Sequence, residues 1–128
     1  MTYYHQQVLR LQAFLYPHAQ VCTQMQRAKQ VMDHAFAEPL TLPHVAAVAG
    51  CSQFHFLRQF KRYYGRTPHQ YLREVRMRQA QLALTAGLSV TDACFAVGFT
   101  SVSSFSGLFR QWTGYSPGVF AKQQAGRL

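Results

Sequence analysis

LPHVAAVAGCSQFHFLRQFKRYYGRTPHQY, residues 42–71, decides the fold. It reads as a short apolar helix, a Gly-Cys-Ser turn, a longer helix and a second glycine stop. Gly50 can take the left-handed conformation that ends the first helix, and Ser52 can cap the second by accepting a backbone N–H. The same plan returns at residues 90–120, VTDACFAVGFTSVSSFSGLFRQWTGYSPGVF. Gly50 matches Gly98, Ser52 matches Ser101, Phe56 matches Phe105, Phe60 matches Phe109, Gly65 matches Gly114 and Pro68 matches Pro117. Thr100 is one extra residue in the second turn. Two helices crossing closely at a glycine-bearing turn make a helix-turn-helix, and the chain carries the pattern in tandem.

Working outward, local signals punctuate the rest. Residues 20–37 place Val21, Met25, Ala28, Val31, Met32 and Ala35 on one helical face, and Glu38-Pro39 ends that helix. Thr41 caps the helix Leu42–Ala49 and tolerates Pro43 in its first turn. The capping box of Thr67-Pro68-His69-Gln70 opens a helix that runs to about Ala86 and is closed by Gly87. Ser89 with Asp92 starts a fifth helix, stopped by Gly98. Thr100 or Ser101 opens a sixth, ending at Gly114. Ser116-Pro117 opens a seventh that fades near Lys122.

No segment reads as a strand. The expected architecture is all-α: two helix-turn-helix subdomains joined by a long central helix, about seven helices in total. The divisions are an N-terminal extension or linker at 1–19, a first subdomain at 20–66, a connecting helix at 67–86, a second subdomain at 87–124 and a frayed tail at 125–128. In the extension, Val8, Leu11 and Leu15 keep helical spacing until Pro17 breaks it; a short helix packed on the domain, the tail of a linker and a dimer contact all fit that pattern, and a peripheral packing element is the favoured expectation.

At 128 residues the chain is one domain or two small ones sharing a core, and 48% hydrophobic content is enough to fill it. The net charge of +9 favours a polyanionic partner. Arg58, Lys61, Arg62, Arg66, Arg73, Arg76 and Arg78 cluster, opposed only by Glu74. Cys22, Cys51 and Cys94 are odd in number and scattered, which fits reduced thiols rather than disulfides or a zinc knuckle. The histidines lack ligand spacing, so no metal and no cofactor is expected. No apolar run approaches the ~20 residues that cross a bilayer. No secretory signal is evident. The expected location is the cytoplasm, at the nucleoid. The few acids, Asp33, Glu38, Glu74 and Asp92, stand beside no nucleophile–base arrangement, and an enzyme is not expected.

Each repeat suits a reader of double-stranded DNA. Ala46, Ala47 and Ala49 in the first copy, and Ala93 and Ala96 in the second, allow the helices to cross closely. In the first copy Phe56, Phe60 and one of Tyr63 or Tyr64 form the buried stripe. Phe54, Leu57, Arg58 and Lys61 share the opposite face. The planar fork of Arg58 can bond guanine O6 and N7 together, and Phe54 and Leu57 can pack on thymine methyls. Gln53 meets a base or a phosphate. Lys61 and Arg62 grip phosphates, which fix register without reading sequence. Ser52 and Ser101, where the second helices begin, and Arg76 join the backbone-contacting set. Arg73, Arg76 and Arg78 are equally candidates for internal ion pairing.

The second copy offers less. Phe105, Leu108 and Phe109 form its buried stripe, and Ser103, Ser106, Gly107 and Arg110 face outward. Gly107 occupies the place of Arg58. An asymmetric binder is expected, in which the first unit supplies most base discrimination and the second holds backbone through Arg110 and helix N-terminal amides. The connector, about 18 residues at ~1.5 Å each, spans ~27 Å, against the ~34 Å repeat of a major-groove face. Such a rod can place both readers on one side of a duplex.

These features together resemble the AraC/XylS family of bacterial transcription regulators. The resemblance covers roughly residues 20–124. It is carried by ACFAVGFTSVSSFSGLFRQWTGYSPGVF, residues 93–120, and by the SxxHFxRxFK pattern of Ser52 to Lys61. It implies two helix-turn-helix subdomains on a long helix and binding to adjacent major grooves. It also implies control of transcription, as an activator that contacts RNA polymerase. By resemblance Phe54, Leu57 and Arg58 fall at base-contacting positions of the first unit, and Ser103, Ser104 and Gly107 at those of the second. Most members carry a sensing or dimerisation domain before the module. Here about 19 residues precede it, so the chain is a stand-alone regulator or part of something longer. The competing reading is a helical protein-interaction module with only non-specific DNA affinity.

Overall fold

A computed structural model describes residues 2–126, and the side chains of all of these except 12–18. Among the described residues there are seven helices and no strand, as the all-α expectation has it. They are α1 (Tyr3–His34), α2 (Leu42–Ala49), α3 (Gln53–Tyr64), α4 (Pro68–Thr85), α5 (Val90–Ala96), α6 (Val102–Thr113) and α7 (Pro117–Ala125).

Capping chemistry sets most boundaries. Thr41, Ser52, Ser89, Ser101 and Ser116 are the N-caps of α2, α3, α5, α6 and α7, each accepting from the N–H three residues on. Gly50, Gly65 and Gly114 end α2, α3 and α6 in the left-handed conformation.

Two expectations need correction. Residues 20–37 do not form a separate helix: α1 starts at Tyr3, runs through Pro17 and stops at His34, before Glu38-Pro39. Helix-forming residues on both sides of Pro17 outweigh its one missing backbone bond. The expected stripe in the extension includes Leu15, whose side chain lies outside the described residues, as do Arg127 and Leu128 of the expected frayed tail. Ala47 and Ala96 are exposed rather than at the helix crossings, which are made by Ala46 and Ala49 in α2 and by Ala93, Cys94 and Val97 in and after α5.

The chain divides into two compact units. The first comprises Met1–Val31 and Thr41–Pro68, and the second Met32–Leu40 and His69–Leu128. In the first, Met25 and Ala28 of α1, Val45, Ala46 and Ala49 of α2, and Phe56 and Phe60 of α3 are buried. In the second, Met77, Ala80 and Leu84 of α4 share a core with Ala93, Cys94, Val97, Phe105 and Phe109. Phe36, Phe99, Leu108 and Phe120 pack against that core. No described helix is long and apolar enough to cross a membrane.

Candidate nucleic-acid interface

In the first unit α3 is oriented by two rings. Phe56 and Phe60 are fully buried, 5.5 Å apart between centroids, and Tyr64 completes the stripe at 4.7 Å from Phe60. Tyr63 faces out. With that face fixed inward, the helical period turns the other face to solvent. Gln53, Phe54, Arg58, Lys61 and Arg62 are exposed there, and Leu57 is half-buried. Phe54 is 81% exposed, so it contributes nothing to the interior. No acidic residue lies within α3 to neutralise its three cations. Ser52 accepts the N–H of His55 at 3.2 Å, which begins the helix beside Gln53 and Phe54.

In the second unit the rings repeat. Phe105 and Phe109 are fully buried with centroids 5.7 Å apart, and Phe120 meets Phe109 edge-on at 5.3 Å. Ser101 accepts the N–H of Ser104 at 3.3 Å, and its hydroxyl lies 3.1 Å from that of Ser103. Ser103, Ser104, Gly107 and Arg110 are exposed, while Ser106 and Leu108 are half-buried. A Cβ built on Gly107 would meet nothing within 4 Å. The absent side chain therefore answers no packing need inside the chain.

Among the residues expected at the DNA backbone, Arg76 has its guanidinium engaged within the chain. It is half-buried, donating Nε to the carbonyl of Phe36 at 2.8 Å and Nη2 to that of Glu38 at 3.0 Å. Its guanidinium carbon sits 6.0 Å from the centroid of the Phe99 ring. Burial lowers its pKa from the usual arginine range. Arg73 and Arg78, on the same helix, are exposed. Tyr71, not singled out in the sequence, donates its hydroxyl to the Asp33 carboxylate. No local pattern could have signalled that bond, because the partners lie 38 residues apart. Among the described residues no group of three or more His, Cys, Asp or Glu is placed to hold a metal.

Comparison with known proteins decides the family. Residues 45–123 match a family model described as a helix-turn-helix domain, an AraC-type module. The chain belongs to the AraC/XylS family. This AraC-type chain is similar to the transcriptional activator NphR of Rhodococcus sp., with 39% identity over 87 residues, which are 67% of this chain and 26% of that protein. It is also similar to the transcriptional activator RhaS of Klebsiella pneumoniae (strain 342), with 40% identity over 86 residues, 66% of this chain and 31% of that one. The chain thus spans about a quarter to a third of the length of these two curated relatives. Among solved structures it resembles the DNA-binding domain of AdpA, a global transcriptional factor crystallised with a target DNA. The TM-score is 0.74 at 28% identity, over 82% of this chain and 95% of that one. An AraC-type regulator from Chromobacterium violaceum gives a TM-score of 0.73 at 29% identity, over 80% and 92%.

Proposed function

We propose that the chain is a sequence-specific double-stranded DNA-binding module of a transcription regulator, with α3 and α6 as its two reading helices. The observation that carries this reading is the division of α3 into a buried aromatic face and an exposed face of Phe54, Arg58 and Lys61. An amphipathic helix that buries one side for folding keeps the other for a groove. Arg58 reads guanine through two parallel hydrogen bonds, and Phe54 and Leu57 contact thymine methyls. Gln53 lies at the base edge where α3 begins. Lys61, Arg62 and Arg110 hold phosphates, with the helix starts at Ser52 and Ser101. Ser103, Ser104 and Gly107 form the weaker second reading face, and Gly107 lets the backbone of α6 approach DNA closely.

Residues 20–66, 67–86 and 87–124 act as first reader, connector and second reader, so that adjacent groove segments are read by one chain. NphR and RhaS are named activators, which supports activation here through contact with RNA polymerase. Both relatives are more than twice as long, which supports a sensing or dimerisation domain working with this module. The place of action is the cytoplasm, at the nucleoid.

Affinity for a duplex selected from a random pool, compared with a scrambled duplex of equal composition, tests the proposal. The expected preference is at least about a thousandfold at physiological salt. Equal affinity for both duplexes would instead support a protein-interaction module with incidental DNA affinity.

A further inference from the structure

We infer that Arg76 is a positioning residue for the second reading helix. It ties the chain leaving α1 to the aromatic core behind α6, so that the placement of α6 depends on residues 33–38. The inference rests on the reading of α6 as a DNA reader.

The segment 33–40 stands directly before α2 in sequence, yet all of it belongs with the second unit. Three attachments hold it there. The Tyr71 hydroxyl donates to the Asp33 carboxylate. The Arg76 guanidinium donates to the carbonyls of Phe36 and Glu38, at 2.8 and 3.0 Å. The carbonyl of Ala37 approaches so near Gly98 that a Cβ there would lie 2.9 Å away. Both Phe36 and Glu38 lie just past the end of α1, where carbonyls lose their intrahelical partners. A planar fork can serve two such acceptors together, which a lysine ammonium cannot do in the same geometry.

From Arg76 the contacts continue into the reader. The guanidinium faces Phe99, whose ring is 5.4 Å from Phe105. Phe105 and Phe109 are the buried stripe of α6. Phe99 itself lies in the turn between α5 and α6. One side chain therefore touches both the strap after α1 and the turn that aims the second reader. A residue serving only general stability would weaken both readers alike. A positioning residue loosens α6 and leaves α3 as it was.

Amide hydrogen exchange of the full chain separates these cases without any DNA. Arg76→Met is expected to speed exchange across residues 102–113 by about tenfold or more, with residues 53–64 unchanged. Arg76→Lys, which keeps the charge but not the fork, is expected to fall between. Tyr71→Phe removes a single hydrogen bond and gives a smaller change of the same pattern if Arg76→Met does not fold. Equal acceleration in both helices, or none in α6, would overturn the inference. On a duplex selected by the unaltered chain, Arg76→Met is further expected to flatten base preference in one of two blocks only. An unaltered chain with no base preference would overturn the DNA reading itself, a result seen before any variant is made.

Discussion

Gly50, which caps α2, and Gly98, one residue past the Val97 cap of α5, both have positive φ, 81° and 95°, but of the two only Gly98 has a neighbour where a side chain would begin. A Cβ on Gly98 would fall 2.9 Å from the Ala37 carbonyl oxygen, whereas at Gly50 nothing lies within 4 Å. Gly50→Ala is expected to lose ~1–2 kcal/mol from its backbone conformation. Gly98→Ala adds a clash with backbone that no rotamer relieves, ~1–3 kcal/mol more. Urea titrations followed by circular dichroism should show the larger loss for Gly98→Ala. Equal losses would contradict the close approach of the strap.

Arg58→Ala should weaken the selected site by ~1–3 kcal/mol and relax preference at one or two base pairs. Base-by-base competition measures both effects. An unchanged profile would remove Arg58 from the reading face.

Lys61→Ala should weaken selected and scrambled duplexes alike. The slope of log affinity against log salt should become shallower by about one unit. Titrations at several salt concentrations read this directly. A loss confined to the selected duplex would assign Lys61 to bases instead.

Gly107 offers a gain of function. It sits inside α6 with open space around it, so Gly107→Ala should stabilise the helix by up to ~1 kcal/mol. Gly107→Arg places a guanidinium at the position matching Arg58. It should create a guanine preference in the second block of a selected site, or abolish binding if backbone approach at Gly107 is essential. An unaltered profile and affinity would place Gly107 away from DNA.

Cys94 gives a pH signature. Burial raises its thiol pKa, so the folded state holds the proton more tightly than the unfolded chain does. The associated stability is complete below the unfolded value of ~8.5 and is lost as pH rises through the higher folded value. The stability difference between the unaltered chain and Cys94→Ala should therefore shrink as pH rises above the ordinary thiol value of ~8.5. A constant difference would contradict burial of the thiol.

The fold was legible because its punctuation is local. Each of Thr41, Ser52, Ser89, Ser101 and Ser116 acts on an N–H three residues away, and Gly50, Gly65 and Gly114 act at their own φ. The buried stripes were legible for the same reason, since Phe56 and Phe60, like Phe105 and Phe109, lie one helical turn apart. Arg76 was not legible. Three arginines on α4 carry the same chemistry, and only the carbonyls of Phe36 and Glu38, about forty residues upstream, single one out. Ala47 and Ala96 failed similarly, because a small side chain looks alike at a crossing and in solvent. The start of α1 was missed because Pro17 weakens a helix locally, while length and flanking propensity sustain it.

The most direct test is the base-preference profile of the unaltered chain, obtained by selection from a random duplex pool and checked by footprinting. Two preferred blocks are predicted, their centres about 10 base pairs apart, with the stronger preference in the block that responds to Arg58→Ala. A single block, or a profile without preference at any position, would contradict tandem reading by α3 and α6.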